Sequence, residues 1–94
     1  MNRVFEILKQ AHNFRKTLKL CKKLSPESEE YKLGKFYKDE IEKLGASEVN
    51  QQKLDKMIQD VKENLQQYQG KELMTEMLLH VRSLLETLKL FART

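Results

Sequence analysis

Histidine, cysteine and clustered carboxylates are the residues of this chain that could support catalysis or bind a metal. Neither His12 nor His80 has a second histidine four residues away, the spacing that a metal site on a helix needs. Cys21 is the single cysteine, so it has no partner for an internal disulfide or a zinc set. The carboxylates within residues 27–30 and 39–42 are typical of a helix N-terminus and a solvated face. We therefore predict a protein that is not an enzyme and has no metal or cofactor of its own.

Positive charge is concentrated in the first quarter of the sequence. Residues 1–24 contain seven basic residues and one acidic residue, whereas residues 25–46 contain four basic and six acidic ones. Five of the cations fall within residues 15–23, where they repel one another. Cations near the C-terminal end of a helix complement its dipole, which explains part of this pattern without any partner. An anionic partner surface explains the rest.

Nucleic acid and membrane are the other anionic surfaces that a basic chain can meet. The net charge is only +4 with 14 acidic residues, and neither base-stacking aromatic spacing nor a recognition-helix motif is present, so we expect no nucleic acid binding. The basic N-terminal segment resembles a targeting peptide, but its apolar face continues through Phe14, Leu18 and Cys21, which favours a folded helix. No apolar run approaches the roughly 20 residues of a transmembrane segment.

The elements that must position these residues are helices. Three Gly, one Pro and a charged fraction of 34% leave too few turn-forming and β-branched residues for a β or α/β fold. The fold class is therefore all-α, and residues 1–94 form a single domain at this length. The predicted helices span about residues 3–24, 26–44, 48–69 and 71–92.

Serine and glycine mark the predicted helix ends. Ser25 caps the second helix with Pro26 at its first position, where the missing N–H has no cost. Gly45 and Gly70 end the second and third helices in the left-handed conformation, and Ser47 caps the third.

The fourth predicted helix has an apolar stripe wider than a surface helix of so small a bundle needs. Burial in the core explains such a stripe, and so does a partner subunit or lipid that covers part of it. The residues that we expect on a partner-helix face are Met77, Leu84, Leu88 and Phe91.

Residues 13–26, Asn-Phe-Arg-Lys-Thr-Leu-Lys-Leu-Cys-Lys-Lys-Leu-Ser-Pro, resemble the opening of the LYR-motif family of small mitochondrial helical proteins. The first helix of that family carries Leu-Tyr-Arg, continues with basic residues and precedes a Pro-containing turn. Tyr31 and Phe36 match the aromatic residues of its second helix, and Lys53 and Leu54 match the pair that opens its third. The resemblance covers about residues 5–68 and leaves the fourth helix as an extension.

The motif itself is divergent in this chain. Asn13 and Phe14 replace the Leu and Tyr, so that only Arg15 of the three residues is kept. This Phe-Arg form resembles the family members that assist ATP synthase assembly.

The resemblance implies a fold, a partner and a set of site residues. The fold is an antiparallel three-helix bundle with an additional C-terminal fourth helix. The partner is the mitochondrial acyl carrier protein, whose acidic helix meets basic residues while its acyl chain, on 4′-phosphopantetheine, enters the bundle. The residues assigned to carrier-protein binding are Phe14, Arg15, Lys19, Lys22 and Lys23, and those assigned to admitting the acyl chain are Gly34, Leu18 and Cys21. Close helix packing explains a glycine at position 34 equally well.

Two functions follow from these observations. The first is an LYR-like adaptor on the matrix side of mitochondria that binds acyl carrier protein within a respiratory-chain or ATP synthase complex, as an accessory subunit or assembly factor. The alternative is an unrelated helical scaffold or chaperone subunit that associates through the apolar face of its C-terminal helix, with the lysines only increasing solubility.

Overall fold

The computed structural model describes residues 3–45 and 51–92, which fold into a helical bundle of 38 × 23 × 23 Å. The helices are α1 (Arg3–Leu24), α2 (Glu29–Gly45), α3 (Gln51–Gln67) and α4 (Glu72–Ala92). Within these ranges there is no β-strand. None of the helices described combines the length and the hydrophobicity that a transmembrane segment requires. The predicted all-α fold class with four helices is confirmed.

Helix α4 lies at the centre of the bundle. It packs most extensively against α1 and α3 and also contacts α2. Over the described ranges, no Cα atom of α3 lies within 8 Å of a Cα atom of α1 or α2. Met74, Leu78, Val81 and Leu85 of α4 have no solvent-exposed surface. The wide apolar stripe therefore follows from burial against three helices, and α4 is not an extension added to a complete three-helix core.

Consecutive helices run in opposite directions. Leu18 of α1 lies beside Gly34 of α2, and a short turn joins the end of α1 to the start of α2, so these two helices are antiparallel. Lys89 near the end of α4 forms an ion pair with Asp55 near the start of α3, so these two are antiparallel as well. This topology places the C-terminal half of α1 against the N-terminal half of α2.

Ser28, and not Ser25, caps α2. The Tyr31 N–H donates a hydrogen bond to Ser28 Oγ at 3.2 Å, which satisfies one of the free donors of the first helical turn. Ser28 in turn donates to the Ser25 carbonyl from its N–H at 3.1 Å and from its hydroxyl at 2.8 Å. The predicted cap at Ser25 is wrong because Pro26 lies within this tight turn, where its fixed φ is suited to the second position.

Gly70 has the predicted left-handed conformation, with a φ of 91° that other residues rarely adopt. It does not end α3 as predicted, because that helix ends at Gln67 and Gly70 lies in the turn before α4. Gly45 is the last residue of α2. The predicted cap at Ser47 lies outside the described residues.

Candidate functional site

A groove between α1 and α2 brings together five cationic side chains. Its volume is ≈ 190 Å³, and we call it the cationic groove. Its lining residues are Arg15, Leu18, Lys19 and Lys22 of α1 together with Tyr31, Lys35 and Lys38 of α2. No carboxylate is among these lining residues, so the groove presents one sign of charge.

Helical spacing explains why these side chains share one surface. On α1 the cations stand at positions 15, 19 and 22, and successive steps of four and three residues keep side chains on one face of a helix. On α2 the lining residues stand at 31, 35 and 38, which repeats the same two steps. Because α1 and α2 are antiparallel neighbours, the two faces meet along the groove.

The chain neutralises little of the charge in the cationic groove. Lys38 Nζ lies 3.1 Å from Glu42 Oε1. Over the described ranges, the other four cations of the groove have no carboxylate oxygen within 4.0 Å. Lys22 Nζ lies 6.0 Å from the centre of the Tyr31 ring, within reach of a weak cation–π interaction. An anion placed here would relieve repulsion among the cations and gain attraction from each of them.

Gly34 lies against Leu18, which lines the cationic groove. A methyl group at this position would lie 2.5 Å from Leu18 Cδ1 and 3.3 Å from Met77 Sδ, so only glycine lets α2 pack this closely against α1 and α4. Close packing is therefore the role that the structure gives Gly34. Leu18 lines the groove but is only 6% exposed, and Cys21 is buried one turn further along α1, so an acyl chain could pass Leu18 only if the α1–α2 contact opened. Their part in admitting an acyl chain stays a prediction.

The structure separates the residues predicted to bind a carrier protein. Arg15, Lys19 and Lys22 line the cationic groove. Lys23 is exposed on α1 but does not line it. Phe14 is only 2% exposed and belongs to the hydrophobic core, which corrects its assignment as a partner-binding residue: one residue from Arg15, its side chain is rotated by about 100° around the helix.

Lys35 and Lys38 are site residues that sequence reasoning missed. They lie in a segment with more acidic than basic residues, so a count of charge along the chain hides them. The steps of four residues from Tyr31 to Lys35 and of three residues from Lys35 to Lys38 are visible in the sequence. Which face of α2 meets α1, however, depends on the packing at Gly34.

The partner-helix face predicted on α4 is largely core. Met77 is fully buried and Leu84 is 3% exposed, so neither can contact a partner in this fold. Leu88 is partly buried against the core, while Phe91 is exposed. The prediction of a partner surface at Met77 and Leu84 is wrong because those residues fill the contacts of α4 with its neighbouring helices.

A second cleft, of ≈ 300 Å³, lies between α2 and α3. Its polar lining includes lysines at 43, 53 and 56 and acids at 40 and 60. Because both signs of charge line this cleft, it does not select an anion as the cationic groove does.

The nucleophilic and metal-binding side chains are not gathered into a site in the described part of the chain. Cys21 is buried, and burial is the main cause that raises the pKa of its thiol, with the Glu30 carboxylate adding to the effect. His80 Nε2 lies 3.9 Å from Glu76 Oε1. No three His, Cys, Asp or Glu side chains of residues 3–45 and 51–92 are arranged to hold a metal ion.

Comparisons of the chain with protein-family models, with curated proteins and with solved structures give no match.

Proposed function

We propose that this protein is a non-enzymatic helical adaptor that binds an acyl carrier protein through the cationic groove. It would serve as an accessory subunit or assembly factor of a mitochondrial respiratory-chain or ATP synthase complex. The observation that carries the proposal is the convergence of five cations from two helices on one groove without a lining carboxylate. The resemblance of residues 13–26 to the LYR-motif family supplies the identity of the acidic partner and the location.

The side chains of the groove are suited to an acidic helix with a nearby phosphate. The Arg15 guanidinium can bind a carboxylate or phosphate through two parallel hydrogen bonds. Lys19 and Lys35 are exposed point charges on opposite helices, so they can bind successive carboxylates of a partner that lies along the groove. A field of one sign also accelerates encounter with an acidic protein, and salt weakens this effect.

The 4′-phosphopantetheine and its acyl chain would come with the partner. Leu18 forms the apolar floor of the groove, and Cys21 is buried one turn further along α1. An acyl chain that follows the phosphate would meet Leu18 first and would have to displace it from Gly34. The acyl-dependent part of binding therefore requires the α1–α2 contact to open, whereas the ionic part does not.

The alternative function loses its main support in this fold. A scaffold that associates through the apolar face of α4 needs that face at the surface, but Met77 and Leu84 are buried within the chain. The exposed apolar residues of α4 that remain are Leu79, Leu90 and Phe91.

The test is binding of purified mitochondrial acyl carrier protein, measured by titration calorimetry at two salt concentrations. Arg15→Glu combined with Lys19→Glu places like charges opposite the partner, and we expect about a 100-fold loss of affinity. The matched control is Lys9→Glu combined with Lys62→Glu, which makes the same change in net charge at exposed positions outside the groove. The control should lose less than about threefold, and circular dichroism should show unchanged helicity in both variants.

Equal losses in the two double variants would mean that only net charge matters, and the groove would not be the site. Collapse of helicity in the Arg15 and Lys19 variant would mean that these residues are structural. Mass spectrometry of proteins that purify with the tagged wild-type chain provides an independent check, since a roughly 10 kDa acidic protein with phosphopantetheine should be present.

A further inference from the structure

Exposed apolar side chains lie on α1 closer to its N-terminus than the residues that line the cationic groove. Val4 and Leu8 are 51% and 59% exposed. At 100° per residue they fall with Arg15, Lys19 and Lys22 in one arc of about 60° around the helix. We call these five residues the α1 stripe. Its N-terminal half is apolar and its C-terminal half is cationic.

The dimensions of the α1 stripe fit one helix of a partner. From Val4 to Lys22 the rise is about 27 Å at 1.5 Å per residue, the length of a partner helix of about 18 residues. The cations are separated by four and then three residues, which is the spacing that places carboxylates along one face of a facing helix. A helix face with cations along one half and apolar side chains along the other can pair with a partner helix whose facing side carries carboxylates along one half and apolar residues along the other.

We infer that the docking element of the partner is a single amphipathic helix, with carboxylates at i, i+4 and i+7 against the cations and apolar residues against Val4 and Leu8. This inference rests on the proposed function and adds the pattern and the polarity of the partner segment. Charge complementarity favours such a partner helix, because the cationic half of the stripe lacks neutralising carboxylates and the apolar half carries no charge. The acidic end of the partner helix lies toward Leu24 and its apolar end toward the N-terminus of α1.

The test uses synthetic hydrocarbon-stapled helices of 21 residues as probes. Two probes carry three Glu in one half and three Leu in the other, in the two possible orders along the peptide. A third probe keeps the Glu residues but has Ser in place of Leu. We expect one of the first two to bind the full chain at least about tenfold more tightly than the third, because it covers the apolar half of the stripe.

Two variants of the protein test whether the tenfold gain in affinity comes from contacts with the α1 stripe. Leu8→Ser should abolish the tenfold difference and leave binding of the third probe unchanged. Leu24→Ser is the matched control. Leu24 is 67% exposed on the same helix but lies about 160° around the helix from Leu8, so the tenfold difference between the probes should persist. Arg15→Glu combined with Lys19→Glu should weaken all three probes.

Failure of this inference is distinguishable from failure of the proposed function. If all three probes and the Leu8→Ser variant bind alike while acyl carrier protein still binds through Arg15 and Lys19, the helix pattern is overturned and the adaptor function stands. If neither the probes nor the carrier protein depends on Arg15 and Lys19, both are overturned. Binding to phosphatidylserine vesicles that depends on Leu8, without binding of any probe, would also overturn the inference in favour of a membrane surface.

Discussion

The Asn64 side chain of α3 donates a hydrogen bond of 2.7 Å from Nδ2 to the hydroxyl oxygen of Tyr37 in α2. It bridges two helices whose backbones stay apart, and it lies beside the cleft that separates them. The Tyr37 side chain is buried, so that its hydroxyl has little access to water as an alternative partner. This bond therefore links α2 directly to α3, although the two helices have no Cα atoms within 8 Å of each other over the described ranges.

Tyr37→Phe should lower the free energy of unfolding by about 1 kcal/mol, because the Asn64 amide loses its partner while the ring remains in the core. Asn64→Ala introduced together with Tyr37→Phe should cost less than the sum of the two single changes, since both remove the same bond. Urea denaturation of the four proteins gives the coupling energy. Strict additivity would show that the bond does not contribute to stability.

The α2 cap provides a comparison between two serines three residues apart. Ser28→Ala removes the hydroxyl that accepts the Tyr31 N–H and should destabilise the fold by roughly 1 kcal/mol. Ser25→Ala should change stability by less than about 0.5 kcal/mol, because Ser25 takes part in these hydrogen bonds through its backbone N–H and carbonyl, which alanine retains. Thermal unfolding followed by circular dichroism measures both changes in stability. A larger loss for Ser25→Ala than for Ser28→Ala would show that Ser25 caps α2.

Unfolding at alkaline pH should report the burial of Cys21 and Tyr37. Burial is the largest cause that raises the pKa of each group above its ordinary value, 9.0 for the cysteine and 10.0 for the tyrosine. The folded protein then holds these protons when the unfolded chain has released them, so stability is fully present below pH 9 and falls as the pH rises through both values. The free energy of unfolding should decline more steeply with pH for the wild type than for Cys21→Ala combined with Tyr37→Phe. Parallel declines would show that the burial of these two groups does not cause the loss of stability.

The sequence predicts those parts of the fold that depend on local chemistry. The bounds of α1 follow from apolar residues at steps of three and four, and the turn at Gly70 follows from its freedom to adopt positive φ. The central position of α4 could not be predicted, because an apolar stripe shows that a face is buried and not which helices bury it. The cap at Ser28 was missed because two serines flank Pro26 and only the geometry of the turn distinguishes them.

Some residues of the candidate site could likewise be predicted from local spacing, and others could not. Arg15, Lys19 and Lys22 follow from spacing along one helix, so their shared face was predictable. Phe14 was assigned by its match to a family motif, although its place in the apolar spacing of α1 predicts burial, and spacing proved the better guide. Lys35 joins the groove through the contact between α2 and α1, which depends on packing between distant residues and not on a local pattern.

The contact between Gly34 and Leu18 can be tested by enlarging the residue at position 34 and reducing the residue at position 18. Gly34→Ala gains about 1 kcal/mol of helix propensity but brings a methyl group within 2.5 Å of Leu18 Cδ1, and overpacking typically costs about 1–3 kcal/mol. We expect a net loss of stability of about 1 kcal/mol. Leu18→Ala alone should cost about 2–4 kcal/mol through the cavity that it leaves.

The two changes together decide whether these residues touch. Gly34→Ala combined with Leu18→Ala should be more stable than the sum of the single effects predicts, by at least about 0.5 kcal/mol, because the new methyl group occupies part of the space that Leu18 vacates. Urea denaturation of the single and double variants measures this coupling. Additive effects would place Gly34 away from Leu18 and would reopen this point of the α1–α2 contact as a path for an acyl chain.

Charge introduced at two leucines of α4 distinguishes a core residue from a partner surface. Leu84 is buried against the other helices, so Leu84→Glu places a carboxylate in the core and should cost more than about 4 kcal/mol. That is most of the stability of a small domain, and we expect helicity at 25 °C to collapse. Leu90 lies six residues further along α4 but is exposed, so Leu90→Glu should change stability by less than about 0.5 kcal/mol. Circular dichroism and sedimentation equilibrium of both variants make the measurement. Retained helicity in Leu84→Glu, together with loss of a dimer that the wild type forms, would place Leu84 at an interface between chains and would restore α4 as the partner-binding helix.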